Sequence, residues 1–338
     1  MSLRTFLRFF AHAQMLPALE SGEETLVGGQ AVMEGVMMRA PHSYCVAVRK
    51  ADGSMVTEEQ PLARMSELYP IYRYPVFRGI GTLFQAMKLG LKALKFSANV
   101  TLEDQLQADE KEQAAKPGQR GKPAKEPPKW AMTAMLVFQL AFFIFLYKAV
   151  PLWVATQLKA MYPVLGNRFA FNAVDGVVRI LIFLSFLFIV SQWKDMRRVW
   201  EYHGAEHKVV FNFESGQPVT VENAQRFTTF HPRCGTSFLL VVMVVSMIVY
   251  TAIPFDGFAA KLASRVALLP LIIGLSYELI RFAAKRRGSF LATLTAPGLW
   301  LQRITTKPPD DSQTAVAIRA LEGAMALEKT QGGELVIA

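Results

Sequence analysis

The chain has 338 residues, of which 52% are hydrophobic and 19% charged, and its net charge is +10. Soluble domains contain about 45–50% apolar and about 25% charged residues, so this composition lies outside the soluble class and excludes general disorder and collagen. The two cysteines, Cys45 and Cys234, are too few for a disulfide framework and fit a reducing compartment. A basic chain binds either nucleic acid or anionic lipid, and the long apolar runs after Trp130 favour membrane lipids and predict no nucleic-acid partner.

Residues 1–102 are predicted to form an N-terminal cytoplasmic region. Its first 15 residues favour a basic amphipathic helix on the membrane surface rather than a cleavable signal peptide, because Arg8 interrupts a short apolar run. Asp52-Gly53 lies between two alternating runs and predicts a small β-hairpin unit. In residues 76–99 the apolar side chains recur at helical spacing among lysines, which predicts an amphipathic helix at the interface.

Residues 103–129 are polar, contain prolines and predict a flexible linker. Residues 130–288 are predicted to form a membrane domain of four transmembrane helices, at about 131–147, 174–193, 237–255 and 265–281. Residues 289–338 predict a C-terminal cytoplasmic tail with an amphipathic helix that begins near Asp310 or Asp311. The fold class is therefore a mainly α membrane protein.

Basic residues near the ends of the spans predict the orientation. The side that carries both termini is rich in lysine and arginine, which places both termini in the cytoplasm. The opposite side carries only five basic residues, which are Lys148, Lys159, Arg168, Lys261 and Arg265.

The sequence His203-Gly204-Ala205-Glu206-His207 carries the clearest chemistry. On a helix these two histidines and the glutamate share one face, so both imidazoles can bind one divalent cation. In inverzincin peptidases the pattern H-x-x-E-H holds zinc, and the glutamate takes a proton from a water. The alternative is a pair of interfacial histidines that bond lipid headgroups or the backbone.

A catalytic zinc needs a third protein ligand, and three candidates follow. His231 is preferred and Glu278 comes next, while Cys234 is also a suitable donor. The alternatives are an ion pair of Glu278 with Arg281 and a small buried side chain at Cys234.

Other charged and metal-binding side chains favour structural roles. Asp175 and Arg179 are four residues apart and predict an ion pair. His42 and Cys45 form a weak metal-binding pattern. For Glu34 and Arg39 two alternatives stay open: they reach the same site as His203, or they pair with lipid headgroups and with each other.

Several motifs in order resemble one family. GGQAVMEGVMMR, YHGAEHKVVFNFE, HPRCGTSF, SYELIR and APGLWLQRITTKPPDD are similar to the YqhQ-like family of bacterial membrane proteins, whose members are usually labelled predicted metal-dependent enzymes. The resemblance covers the chain from about residue 28 to the last helix, and its motif maps onto His203, Glu206, His207, His231 and Cys234. It implies the bacterial inner membrane as the location and a metal-dependent activity, and names no substrate.

Two functions from different classes follow from this sequence. The first is a metal-dependent hydrolase, with zinc as the expected metal and Glu206 as general base, acting on a membrane-presented peptide or lipid-like substrate. The alternative is a non-catalytic membrane scaffold or assembly factor in which the His/Glu cluster is structural. A transporter is the least favoured class, because the four spans show no paired repeat. The oligomeric state is not predicted.

Overall fold

The computed structural model describes residues 27–115, 129–232, 234–285 and 296–330. The predicted N-terminal surface helix therefore lies outside the described residues. The strands are β1 (Gly28–Val32), β2 (Gly35–Arg39), β3 (Ser43–Arg49) and β4 (Met55–Pro61). The first helices are α1 (Met65–Leu68), α2 (Phe77–Ala115), α3 (Lys129–Ile144), α4 (Val150–Met161), α5 (Arg168–Val190) and α6 (Lys194–Glu214). The remaining helices are α7 (Val221–Gln225), α8 (Gly235–Thr251), α9 (Phe258–Ala267), α10 (Leu269–Lys285), α11 (Ala296–Thr305) and α12 (Asp311–Thr330). Short 3₁₀ turns lie at Pro70–Arg73 and Pro163–Gly166, and a π-helical turn, Phe145–Ala149, joins α3 to α4.

The four strands form one antiparallel sheet in the order β1-β2-β3-β4. The predicted hairpin is confirmed as β3 and β4, and Gly53 in its turn has a positive φ of 86°. The glycine- and methionine-rich segment before it forms a second hairpin, β1–β2, which was not predicted from the sequence. Its turn contains Glu34 with φ 51°, a left-handed conformation that glycine or asparagine usually adopts.

Both faces of this sheet are covered by helices. Val36, Met38 and Ala47 pack against α6 and α12 on one face. Val32, Met37, Val46 and Val48 pack against α2 on the other. Because both faces are buried, β2 and β3 are apolar almost throughout and lack the alternation of a half-exposed strand. The N-terminal sheet and the C-terminal helix, which were predicted as separate segments, thus share one core.

The predicted amphipathic helix is confirmed, but α2 is longer than expected. It continues through the first part of the predicted linker 103–129 as far as Ala115, and residues 116–128 lie outside the described part of the chain. The prediction of a linker from residue 103 is therefore wrong at its start. Glutamate, glutamine, alanine and lysine dominate this stretch, and these are strong helix formers even where no apolar face is present.

Two helices among the described residues are long and apolar enough to cross a membrane, Val137–Met161 and Arg168–Val190. A third is added if α9 and the adjoining α10 form one span that is bent by 50°. The apolar helix α8 is shorter. The bend between α9 and α10 comes just before Pro270, which cannot donate a backbone hydrogen bond and clashes with the preceding turn. These apolar helices are compatible with a membrane protein.

Large apolar side chains cover the outer surfaces of these helices. Phe138 is 71% exposed, Phe188 60% and Ile248 69%. Extended apolar surface of this kind is uncommon on soluble monomers and is the surface expected to face lipid.

Candidate metal centre

The H-x-x-E-H motif lies on α6, a helix separate from the apolar span that precedes it. A turn at residues 191–193 ends α5, and α6 begins at Lys194. Tyr202, Ala205 and Val209 bury one side of α6 against the sheet and α12. The histidine side faces the segment before α8 and the end of α11.

Backbone carbonyls orient both imidazoles of the motif. His203 Nδ1 donates to the carbonyl oxygen of Thr305 at 2.7 Å, and His207 Nδ1 donates to that of Thr229 at 2.5 Å. Since a carbonyl can only accept, each Nδ1 carries the hydrogen in a neutral ring, and each Nε2 keeps its lone pair for a metal. A hydrogen-bonded second nitrogen is the usual support of a metal-binding histidine.

Cys234 completes a group of three ligand atoms. It lies at the N-cap of α8, and its Sγ is 3.3 Å from His203 Nε2. The ligand atoms of His203, His207 and Cys234 all lie within 4.8 Å of one another, the only group of three histidine, cysteine or acidic side chains this close among the described residues. Two imidazoles and a thiolate are a donor set that suits zinc.

His231 lies beside this group but is not one of the three. Its ring centroid is 5.5 Å from that of His207, its Nε2 is 3.6 Å from Glu214 Oε2, and Gln302 bonds its backbone N–H and carbonyl at 2.7 Å each. His231 is the preferred third ligand on sequence grounds, whereas the structure brings Cys234 within 4.8 Å of the ligand atoms of both motif histidines.

Burial keeps the central imidazoles neutral. Desolvation lowers the pKa of His207 to about 4 and that of His231 to about 4. Neutral imidazole is the form that binds a metal, so both rings are in that form at neutral pH.

Glu206 is placed at the edge of the same group. Its side chain is buried, and its Oε2 is 3.4 Å from His207 Nε2. Gly29 of β1 makes room for it, because a Cβ at that position would lie 2.6 Å from Glu206 Cγ. The carboxylate expected to act as general base therefore lies next to the converging ligand atoms.

Gly204, inside the motif, allows α6 to approach its neighbours. A Cβ at Gly204 would overlap the carbonyl oxygen of Lys307 and come within 3.2 Å of Thr229 Cγ2. These two contacts lie on the segments that supply the carbonyls for His203 and His207. No sequence signal identifies those carbonyls, because a backbone acceptor can come from any residue type.

Glu278 is engaged elsewhere, and the structure does not support its prediction as a metal ligand. Its carboxylate accepts hydrogen bonds from Arg78 Nε at 2.7 Å and from the Val76 backbone at 3.1 Å. Arg78 forms a second contact to the other carboxylate oxygen. The residue therefore joins α10 to the start of α2, with Arg78 rather than Arg281 as its hydrogen-bonded partner.

The remaining candidates have structural contacts. Asp175 and Arg179 form the predicted ion pair. Glu34 pairs with Arg198 on α6. Cys45 is buried in the core, where desolvation and the nearby Glu59 carboxylate raise its pKa to about 12, so it stays a thiol.

His42 does not join Cys45 in a metal site. Its ring nitrogens contact Glu328 at 3.0 Å and Glu67 at 3.1 Å, which ties α12 and α1 to the sheet.

Comparison with known proteins places the chain in one family. The family model described as "Protein of unknown function (DUF1385)" matches residues 74–327, which include His203, His207 and Cys234. The uncharacterized protein YqhQ of Bacillus subtilis (strain 168) is 34% identical over 302 residues, which cover 89% of this chain and 92% of that protein. No solved structure matches the chain. The chain therefore belongs to the DUF1385 family and is a relative of YqhQ, as its sequence motifs indicated.

Proposed function

We propose that this protein is a metal-dependent membrane hydrolase, with His203, His207 and Cys234 as the ligands of a divalent cation. Zinc is the metal that this donor set favours. The observation that carries the proposal is the convergence of three ligand atoms within 4.8 Å. The two Nδ1–H groups bound to carbonyls support it, because they leave Nε2 as the metal-binding nitrogen of each ring.

Glu206 has the position of a general base. When bound by three protein ligands, zinc supplies an open coordination position and lowers the pKa of a water there to about 7. The Glu206 carboxylate, whose Oε2 is 3.4 Å from His207 Nε2, is close enough to the ligand atoms to accept a proton from water and return it to a leaving group. His231 and Glu214 lie behind His207 and hold the buried side of the site.

We further propose that α3–α4, α5, α8 and α9–α10 form four spans with both termini in the cytoplasm of a bacterium. At about 1.5 Å per residue, the 17 residues of α8 are about 26 Å long, which is close to the thickness of a hydrocarbon core. The excess of lysine and arginine on the side of the termini supports this orientation.

This placement puts the metal centre at the cytoplasmic membrane surface. The centre lies after the C-terminus of α5 and at the N-terminus of α8. On α2, Phe84, Met87 and Leu91 are each at least 59% exposed, which fits a helix that lies at the interface. A substrate at that level is a membrane-presented peptide or a lipid-like molecule.

Metal analysis of the purified full-length protein tests the proposal. We expect about one zinc per chain, which His203→Ala and Cys234→Ala remove, while His42→Gln, a histidine outside the group, leaves it in place. Less than about 0.2 equivalents of zinc, manganese or iron, unchanged by His203→Ala, would contradict it.

The alternative is a membrane scaffold with a structural metal or polar cluster. The burial of His207 and Cys234, at 2% and 7% exposure, favours it, because structural zinc sites are closed. Glu206→Gln distinguishes the two. An enzyme keeps its metal and abundance and loses about 10²–10⁴-fold in turnover, whereas a scaffold keeps its function or loses abundance.

A further inference from the structure

A second polar cluster is buried among the apolar helices, far from the metal centre. Asp175 on α5 accepts hydrogen bonds from Arg179 and from Arg265 at the end of α9. Arg265 also donates to Asn172 Oδ1 at 2.9 Å. All four side chains are at most 6% exposed. One carboxylate therefore balances two guanidinium groups.

Tyr250 of α8 links a third basic side chain, that of Lys148, to this cluster. Its ring centroid is 5.2 Å from Arg179 Cζ, 4.9 Å from Arg265 Cζ and 5.5 Å from Lys148 Nζ. Lys148 Nζ also donates to the Tyr250 hydroxyl at 3.0 Å. Two guanidinium groups, one lysine side chain and one carboxylate thus surround one aromatic ring. Buried charge is costly unless it is paired, so this arrangement favours an added anion.

An open cleft leads to these residues. Arg265, Asn172 and Tyr250 form part of its wall. Lys159, Arg168 and Lys261 add three more basic side chains at the cleft. Asp256 is the acidic residue of this wall, but its side chain is 90% exposed and 4.0 Å from Lys261.

The cleft lies at the end of the helices opposite the metal centre. Arg168 and Asn172 are at the N-terminus of α5, and Tyr250 is at the C-terminus of α8, whereas Cys234 precedes α8. The 17 residues of α8 separate the two sites by about 26 Å.

The charge at this end has an unusual distribution. Basic residues are scarce on the non-cytoplasmic side of membrane proteins, and the sequence provides only five there. The fold gathers all five at the buried cluster and its cleft. These residues are Lys148, Lys159, Arg168, Lys261 and Arg265.

We infer that this cleft binds a phosphate group, with the headgroup of an anionic phospholipid as its first ligand. Arginine forks and lysines are the side chains that recognise phosphate oxygens. Ile253 and Phe255 also line the cleft and offer apolar contact to the glycerol and chains of a lipid. A soluble phosphate compound shares the headgroup chemistry but not this apolar contact. The site goes beyond the proposed hydrolase and does not depend on its metal.

Native mass spectrometry of the full-length protein tests the lipid assignment. The protein is incubated in detergent with equal phosphatidylglycerol and phosphatidylcholine, and the retained lipid is identified. We expect one phosphatidylglycerol per chain. The rim variant, Lys159→Gln with Arg168→Gln and Lys261→Gln, is expected to bind it on the order of 100-fold more weakly, because each basic residue near an anionic headgroup contributes about fivefold.

A matched control carries the same charge change at the other end of the molecule. Lys88→Gln with Lys194→Gln and Arg197→Gln also removes two lysines and one arginine at exposed positions. This control is expected to retain phosphatidylglycerol as the wild type does. Equal retention by the rim and control variants, or no preference for phosphatidylglycerol in the wild type, would overturn the lipid assignment.

Two further measurements complete the test. Titration of inorganic phosphate into the protein in phosphatidylcholine nanodiscs tests whether a soluble phosphate binds in place of a lipid. Phosphate binding that the rim variant loses and the control variant keeps would support a phosphate site. Absence of binding to both lipid and phosphate would end the inference. Asp256→Asn removes the exposed acid beside Lys261 and should strengthen anion binding about fivefold, so the inference remains testable if the rim variant does not fold. Unchanged or weaker binding by this variant would contradict it.

Discussion

Gly204→Ala is expected to damage the proposed metal centre without changing any proposed ligand. The new methyl group would overlap the Lys307 carbonyl oxygen and press on Thr229 Cγ2. Relief of the overlap moves α6 away from the two segments that bond His203 at 2.7 Å and His207 at 2.5 Å. Both imidazoles then lose the contacts that orient them.

The magnitude follows from two opposing effects. Alanine in a helix is favoured over glycine by about 1 kcal/mol, whereas overpacking of a buried contact costs about 1–3 kcal/mol. The free energy of unfolding should therefore fall by about 0–2 kcal/mol. Loss of the supporting hydrogen bonds to metal ligands reduces metal affinity by about 10- to 100-fold, which exceeds what the change in stability alone would produce.

The assay is competition for zinc between the purified protein and a chelator of known affinity, with thermal unfolding measured in parallel. Gly235→Ala is the matched control, because Gly235 is also helical, follows the proposed ligand Cys234, and has no atom of a packing neighbour within 4 Å of the position that an alanine Cβ would occupy. We expect the control to bind zinc as the wild type does. Wild-type zinc affinity in Gly204→Ala would refute the role of this close approach.

Two other outcomes test the assignments in the rest of the molecule. Glu278→Gln should leave the zinc content unchanged while it lowers the melting temperature, because its carboxylate binds Arg78 and the Val76 backbone rather than a metal; loss of zinc would restore it as a ligand. Burial would raise the pKa of Glu328, but hydrogen bonds from Ser43 and His42 hold that pKa below its usual value. Its folded-state pKa is therefore depressed, so its contribution to stability is present above about pH 4.5 and is lost as the pH falls through the folded-state pKa. Ser43→Ala should lower the free energy of unfolding by about 1–3 kcal/mol at neutral pH. It should also make the free energy of unfolding fall less steeply as the pH is lowered; an unchanged pH dependence in acid denaturation would contradict the linkage.

The local sequence pattern was sufficient to predict the structural features that depend only on residues close together in the chain. Asp52-Gly53 identified the β3–β4 turn, because the turn conformation itself requires glycine. Asp175 and Arg179 pair as the i, i+4 spacing predicted. The face shared by His203 and His207 followed from helical geometry alone.

Features that depend on distant segments were not accessible in this way. Cys234 and His231 are both near the motif histidines in space, and only the path of the chain before α8 decides which of them reaches ligand distance. Glu278 pairs with Arg78, 200 residues earlier, although Arg281 is the nearer basic residue in sequence. The β1–β2 hairpin was missed because Glu34 adopts a left-handed turn conformation that its residue type does not signal.

The packing of α12 on β2 and β3 also determines when the proposed metal centre can form during synthesis. Val316 and Leu321 share a core with Val36 and Met38, and α6 lies in the same core. A nascent chain that has not yet released residues 311–330 from the ribosome leaves this core without one of its walls. Stable assembly of the ligand group on α6 must therefore wait until residues 311–330 have left the ribosome, after the apolar helices α3 to α10 have already been made.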